Sequence, residues 1–127
     1  MSSRKNFATG AKWEDIIGYC RAVQVGNQLE ISGTVATDEN GVIAKGNMYG
    51  QTRAIIQKLD GVLKQAGYSL GDVVRTRIFT TDISKWEDIG RAHGEFFKDI
   101  KPVTTMVEVS KLIDPDYLIE IEMTAIK

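Results

Sequence analysis

The chain reads as an α+β domain in which one mixed β-sheet carries two amphipathic helices on a single face. Three observations predict this. In the last quarter, residues 101–127, the runs Thr104–Leu112 and Tyr117–Ile126 alternate strictly, and a period of two sends side chains to opposite faces of a sheet. Residues 47–66 and 84–100 instead repeat their apolar residues at helical spacing. The resulting order is strand, strand, helix, strand, helix, strand, strand, and two helices of that length cover one face of a sheet but not both.

Taken in order, residues 1–18 are weakly patterned and are expected on the surface, with Trp13, Ile16 and Ile17 as anchors. Tyr19–Val25 reads as a strand. Gly26-Asn27 is a turn dipeptide tolerant of positive φ, so a tight hairpin should lead into Gln28–Thr34. Thr37-Asp38-Glu39-Asn40-Gly41 is a turn-rich break. Asn47 is placed to cap the first helix, whose stripe is Ile55, Ile56, Leu59, Val62, Leu63 and Ala66, with Gly67 at its C-terminal end. Asp72–Asp82 alternates as a strand. Ser84-Lys85-Trp86-Glu87 reads as a capping box for a second helix with the stripe Ile89, His93, Phe96, Phe97 and Ile100, and Pro102 ends it. The final two strands are joined by the turn Ile113-Asp114-Pro115-Asp116.

Length and composition bound the function. At 127 residues the chain fits one domain spanning 1–127, long enough to bury a core without staples. Sixteen basic against 17 acidic residues leave no basic footprint of the kind nucleic-acid binding requires. A single cysteine, Cys20, rules out an internal disulfide and fits a reducing compartment. No apolar stretch follows Met1–Lys5 and no run is long enough to cross a bilayer, so a cytoplasmic protein without membrane contact is expected. No His, Cys and carboxylate spacing suggests a metal, no glycine-rich phosphate cradle is present, and no cofactor is expected.

The helix-free face carries the chemistry. If Val74, Thr76 and Ile78 face the helices, then Arg75, Arg77 and Phe79 share the other face with Glu108, Glu120 and Glu122, alongside Val73, Met106 and Leu118. Such a mixture of apolar and charged groups points to an interface between copies with polar clefts at its edges.

Pro102-Val103-Thr104-Thr105-Met106-Val107-Glu108-Val109, followed by Ile119-Glu120-Ile121-Glu122, resembles the C-terminal motif of the RidA/YjgF proteins, the reactive-intermediate deaminases also called L-PSP endoribonucleases or translation inhibitors. The likeness extends through Tyr19, Gly26-Asn27, Ser32-Gly33, Gly71-Asp72-Val73-Val74 and Phe96-Phe97, nearly the whole chain. It implies a chorismate mutase-like fold and a homotrimer with sheets inside, helices outside and small-molecule clefts between subunits. It also implies a chemistry, hydrolysis of imines or enamines of 2-keto acids. Glu120 would orient or activate the water. Tyr19, Ser32 and Gly33 would line the pocket, Met106 falls where a small side chain, often cysteine, is usual, and Gly90 where an asparagine is frequent. The arginine that grips the substrate carboxylate falls on Thr104, which is short and neutral. Loss of such a partner costs about 2–5 kcal/mol, roughly 30- to several-thousand-fold in affinity. Arg75 or Arg77 could supply the cation from the neighbouring strand, or each could simply pair with Glu108 or Glu122.

Each candidate also has a plainer reading. Glu120 is either half of an interface ion pair or a ligand contact. Glu108 and Glu122 fit structural pairing, and Tyr19 fits a packed aromatic with a wet hydroxyl. His93, the only histidine, sits on the second helix's apolar stripe and is expected to be packed and hydrogen-bonded rather than catalytic. The functional expectation is a trimer that binds a small metabolite, its activity altered by Thr104. A deaminase with a relocated cation is the alternative, and an RNA-directed activity is the least supported.

Overall fold

The computed structural model describes residues 3–127. The strands β1 (Arg4–Phe7), β2 (Ala22–Val25), β3 (Gln28–Thr34), β6 (Val73–Thr80), β7 (Val103–Glu108) and β8 (Ile119–Ile126) form a six-stranded sheet in the order β1-β2-β3-β8-β6-β7. Every pairing is antiparallel except β6 with β7. A small ribbon of β4 (Thr37–Asp38) and β5 (Gly41–Val42) leads into α2 (Met48–Gln65), which packs on the sheet beside α3 (Trp86–Phe97). The mixed sheet with two main helices on one face is as expected.

The core lies between the helices and the sheet. Ile55, Ile56, Leu59 and Leu63 of α2 meet Leu29, Ile31, Ile78, Ile119, Ile121 and Met123, with Ile89 and Phe97 from α3. Full burial of such a side chain contributes about 1.5–3 kcal/mol. Asn47 caps α2, its side-chain oxygen accepting from Gly50 N at 2.8 Å, and Gly67 takes the left-handed conformation (φ +84°) that ends the helix. Gly26, at φ +61°, makes the tight turn between β2 and β3. No helix among the described residues is long and apolar enough to cross a membrane.

Several expectations are corrected. Trp13, Ile16 and Ile17 are more than half exposed; the short helix α1 (Lys12–Ile17) is anchored by Glu14, whose carboxylate accepts from the Thr9 backbone and hydroxyl. The capping box does not form: α3 opens after a 3-10 turn at Ile83–Lys85, and Asp82 accepts from Ser84 N at 3.0 Å. The two C-terminal strands are shorter than their alternation and are not neighbours, because β8 inserts between β3 and β6. Residues 109–118 must therefore cross over, pinned by Gln51, which donates to Asp116 O and accepts from Leu118 N.

Side-chain parity is corrected at two places. The β6–β8 register shifts between Val73 and Arg75, so Val73 is buried in the core while Val74 is 40% exposed. In β7, the parallel register sets Thr104 beside Thr76, Met106 beside Ile78 and Glu108 beside Thr80, all buried partners on the helix side. Thr104, Met106 and Glu108 thus lie on the face opposite Glu120 and Glu122. Val103, Thr105 and Val107 take the open face beside Arg75, Arg77 and Phe79.

Candidate functional site

The open face is built around a break in β3. Its pairing with β8 runs regularly to Ile31, then resumes at Thr34 opposite Ile121, so Ser32 and Gly33 form an irregularity. Such breaks re-aim side chains at functional places. Without a side chain, Gly33 leaves room for Glu120: a Cβ at position 33 would lie 2.8 Å from Glu120 Oε2 and 2.9 Å from its Cδ. Glu120 is half-buried and accepts no hydrogen bond from a described residue. Burial pushes its carboxyl above the ordinary 4.5, the charge of Glu122 adds to this, and Arg21 pulls the other way. A carboxylate left unpaired and raised in this way is suited to acid–base work.

The other sequence-selected residues fall into separate groups. Ser32 donates to Cys20 O at 2.7 Å and shares a recess of about 490 Å³ with Tyr19, which is 39% exposed. Arg77 pairs with Glu122 at 3.0 Å, the plainer reading for both. Arg75 makes no hydrogen bond or ion pair with a described residue and lines a depression of about 230 Å³ with Ser32, Arg77 and Glu122. Its strand position is four residues from Phe79, the residue opposite Glu120, which is about 13 Å along a strand.

On the helix side, Glu108 accepts from Ile83 N at 2.9 Å and so holds the turn before α3. Met106 packs against the core. The Thr104 hydroxyl lies 2.8 Å from that of Thr76, which lies 3.0 Å from His93 Nε2. His93 stacks on Phe97 with centroids 4.7 Å apart, and burial pushes its imidazole below its ordinary value. The expected packed, hydrogen-bonded histidine is what the structure has. One chain does not join Glu120, Ser32 and Gly33 with Thr104 and Met106.

The family model of the L-PSP endoribonucleases matches residues 9–127. The chain belongs to that family. Its fold is that of the YjgF proteins: the Mycobacterium tuberculosis member Rv2704 superposes with a TM-score of 0.88, at 41% identity, covering 98% of this chain and 100% of that one. The RutC family protein PH0854 of Pyrococcus horikoshii is 37% identical over 110 residues, 86% of each chain. A protein named 3-aminoacrylate deaminase RutC, from Acinetobacter baylyi, is 34% identical over 108 residues, covering 84% of this chain and 85% of that one.

In this L-PSP family chain, sequence reasoning passed over Arg21 and Lys58. The Arg21 guanidinium donates through Nη1 to Gly33 O at 3.0 Å and to Thr34 Oγ1 at 2.9 Å. Lys58 donates to Val35 O and Thr37 O, both at 2.9 Å, and burial, with the Arg21 charge beside it, pulls its ammonium below its ordinary value. The available signal for Arg21 was a cation set between Tyr19-Cys20 and Ala22 at the entrance to a strand.

The fit of Glu120 over Gly33 makes a prediction. Backbone φ at Gly33 is not in the left-handed region, so Gly33→Ala should fold, and its Cβ collides only with a mobile carboxylate. Carbon-13 NMR should show the Glu120 titration moved, with the melting temperature within about 5 °C of native. An unchanged Glu120 titration would overturn the packing described.

Proposed function

We propose that this chain assembles as a homotrimer and binds a small metabolite in clefts between subunits. There Glu120 serves as the acid–base group for hydrolysis of an imine or enamine C–N bond. The observation that carries this is Glu120 itself: half-buried, unpaired and seated over Gly33. In the reaction, water adds to the imine carbon and gives a proton to the Glu120 carboxylate. The carboxylic acid returns that proton to the nitrogen; Glu120 then takes the hydroxyl proton of the carbinolamine and passes it to the same nitrogen, so that the C–N bond breaks, ammonia leaves and a carbonyl remains.

The division of the residues supports assembly between copies. Glu120, Ser32 and Gly33 occupy the open side, whereas Thr104 and Met106 line the edge strand on the opposite side. A neighbour's β7 edge placed against the open face would bring the two sets together. The partly exposed Val25, Val74, Val103 and Val107 favour burial of this surface. The named deaminase activity of the Acinetobacter relative supports the same chemistry. By resemblance, Thr104 stands where the family has its carboxylate-gripping arginine, so the cleft should hold carboxylates less firmly at that point. An RNA-directed role has weaker support. The net charge is −1, and the open sheet face presents Glu30, Glu120 and Glu122.

The test supplies enamine generated from serine by a dehydratase and follows ammonia and keto-acid release, with sedimentation velocity run in parallel. The expected result is release faster than in buffer, from a species of three copies. A rate equal to buffer removes the hydrolytic reading, and a stable single subunit at micromolar concentration removes the shared cleft.

A further inference from the structure

We propose that the cleft between α2 and the break in β3, on the helix side of the sheet, binds the phosphate group of a small ligand between Arg21 and Lys58. Glu120 does not line this cleft, and the proposal does not rest on the hydrolytic reading.

The cleft has a volume of about 810 Å³. Lys58, Gly61 and Gln65 of α2 form one wall, and Arg21 with Gly33 and Thr34 forms another. Gly61 keeps its wall open, since a Cβ there would meet nothing within 4 Å. Two half-buried cations stand in this space without a counter-ion. Arg21 donates to Gly33 O and Thr34 Oγ1, and Lys58 donates to Val35 O and Thr37 O. All four acceptors are neutral and belong to the one segment Gly33–Thr37. Neither cation forms an ion pair with a described residue. Their charges therefore add, and burial followed by the Arg21 charge holds the Lys58 ammonium below its ordinary value. Two like charges that share a partly desolvated cleft are stabilised by an anion placed between them.

The donors that would receive the anion are also present. A guanidinium has five N–H bonds and an ammonium three. Each group spends two on the segment, so three remain on Arg21 and one on Lys58. A carboxylate fills the fork of Arg21 alone, whereas a phosphate has oxygens for both groups and a second negative charge. The carboxylates nearby do not neutralise the floor of the cleft. Glu14 is engaged by Thr9. Asp38 and Glu39 border the cleft but are exposed, on the β4–β5 ribbon and its turn, and Asp38 accepts from Asn40 N at 2.8 Å. Water screens them there, so the cleft has a positive floor and an acidic mouth.

The experiment titrates the full-length protein with inorganic phosphate, at mildly alkaline pH and constant low ionic strength, following amide shifts by NMR against a chloride control. Saturable shifts should centre on Gly33–Thr37 and Lys58. Acetate should bind at least about tenfold more weakly, and Lys58→Gln or Arg21→Gln should each weaken phosphate by at least about tenfold, as loss of a charged hydrogen-bond donor does. Arg75→Gln, which removes the unpaired cation of the open face, should leave the affinity within about twofold. Glycerol phosphate, titrated in parallel, separates a free ion from a phosphate carried by a small molecule, the tighter binder being the ligand class. Because Arg21 and Lys58 also hold the chain, Glu39→Gln gives a test in the opposite direction. Glu39 is exposed and bonds to no described residue, and removing its charge from the mouth should tighten phosphate roughly two- to fivefold. A loss of fold does not produce tighter binding. Shifts that chloride reproduces, shifts centred on Arg75, native affinity in Lys58→Gln or Arg21→Gln, or no tightening in Glu39→Gln overturn the assignment.

Discussion

Glu120→Gln is expected to lower C–N hydrolysis by roughly 100- to 10,000-fold, the range for loss of a positioned acid–base group. Glutamine has nearly the same shape and leaves the seat over Gly33 filled, but it neither takes nor returns a proton. Stability should move the other way. The Glu120 carboxyl titrates above its unfolded value because of burial and then of Glu122, so the folded chain holds a proton that the unfolded chain has released. Stability therefore falls as pH rises from the unfolded value through the folded one, and the deficit is fully present above that window. Glutamine removes the deficit, so the variant should melt at or above the native temperature at pH 7. The native protein should gain stability on acidification through the same window, and the variant should lack that gain. Native activity should rise with pH through a midpoint above 4.5 as the base ionises. A variant that loses activity and stability together would point to a structural role for Glu120.

Ile121→Ala is expected to destabilise the fold by about 2–5 kcal/mol, the range for truncating a buried isoleucine. Ile121 is fully buried and lies between Thr34 and Ile78 in the two neighbouring strands, under the helices. Removing three carbons there leaves a cavity that rigid strands on either side cannot close. The adjacent residue provides the contrast: Glu122 faces away and pairs with a half-exposed Arg77. Glu122→Ala should cost no more than about 1 kcal/mol, as solvent-screened pairs do. Urea denaturation of both variants, with unchanged slopes, measures the difference. Comparable losses at the two positions would mean that β8 does not present one core face and one open face.

Much of this architecture was legible because single signals decided it. Asn47 and Gly67 bracket α2, Gly26 makes the hairpin, and the alternation of Ile119, Ile121, Met123 and Ala125 survives because β8 is paired on both sides and covered on one. The failures occur where phase depends on a partner. An irregularity in the register beside Val74 exchanges inward and outward positions, and no residue type announces it. The edge strand β7 takes its phase from β6, so Thr104, Met106 and Glu108 turn toward the helices although Glu108 looks like a companion of Glu120. Val103 and Val107 imitate a core face because the open surface of a lone subunit is itself partly apolar. The expected cap at Ser84 fails because a 3-10 turn, itself capped by Asp82, precedes α3, whose N-cap Lys85 makes no side-chain bond. Glu120 was found through its family motif, but its seat over Gly33 needed coordinates. Arg21 was missed because its partners, Gly33 O and Thr34 Oγ1, lie across the strand break and not among its neighbours in the chain.

The hydroxyls of Thr104 and Thr76 and the imidazole of His93 stand in a single file from the sheet's rim to α3. A hydroxyl that donates to one neighbour receives from the other, so the protons along this file point all outward or all inward. Outward, the imidazole gives and Thr104 offers its hydrogen at the rim, where the Pro102 carbonyl lies 3.3 Å away. Inward, the imidazole receives and Thr104 shows the rim only lone pairs. An arginine can only donate. Thr104 can face its surroundings with either polarity, and the choice is recorded in the tautomer of a histidine two groups away.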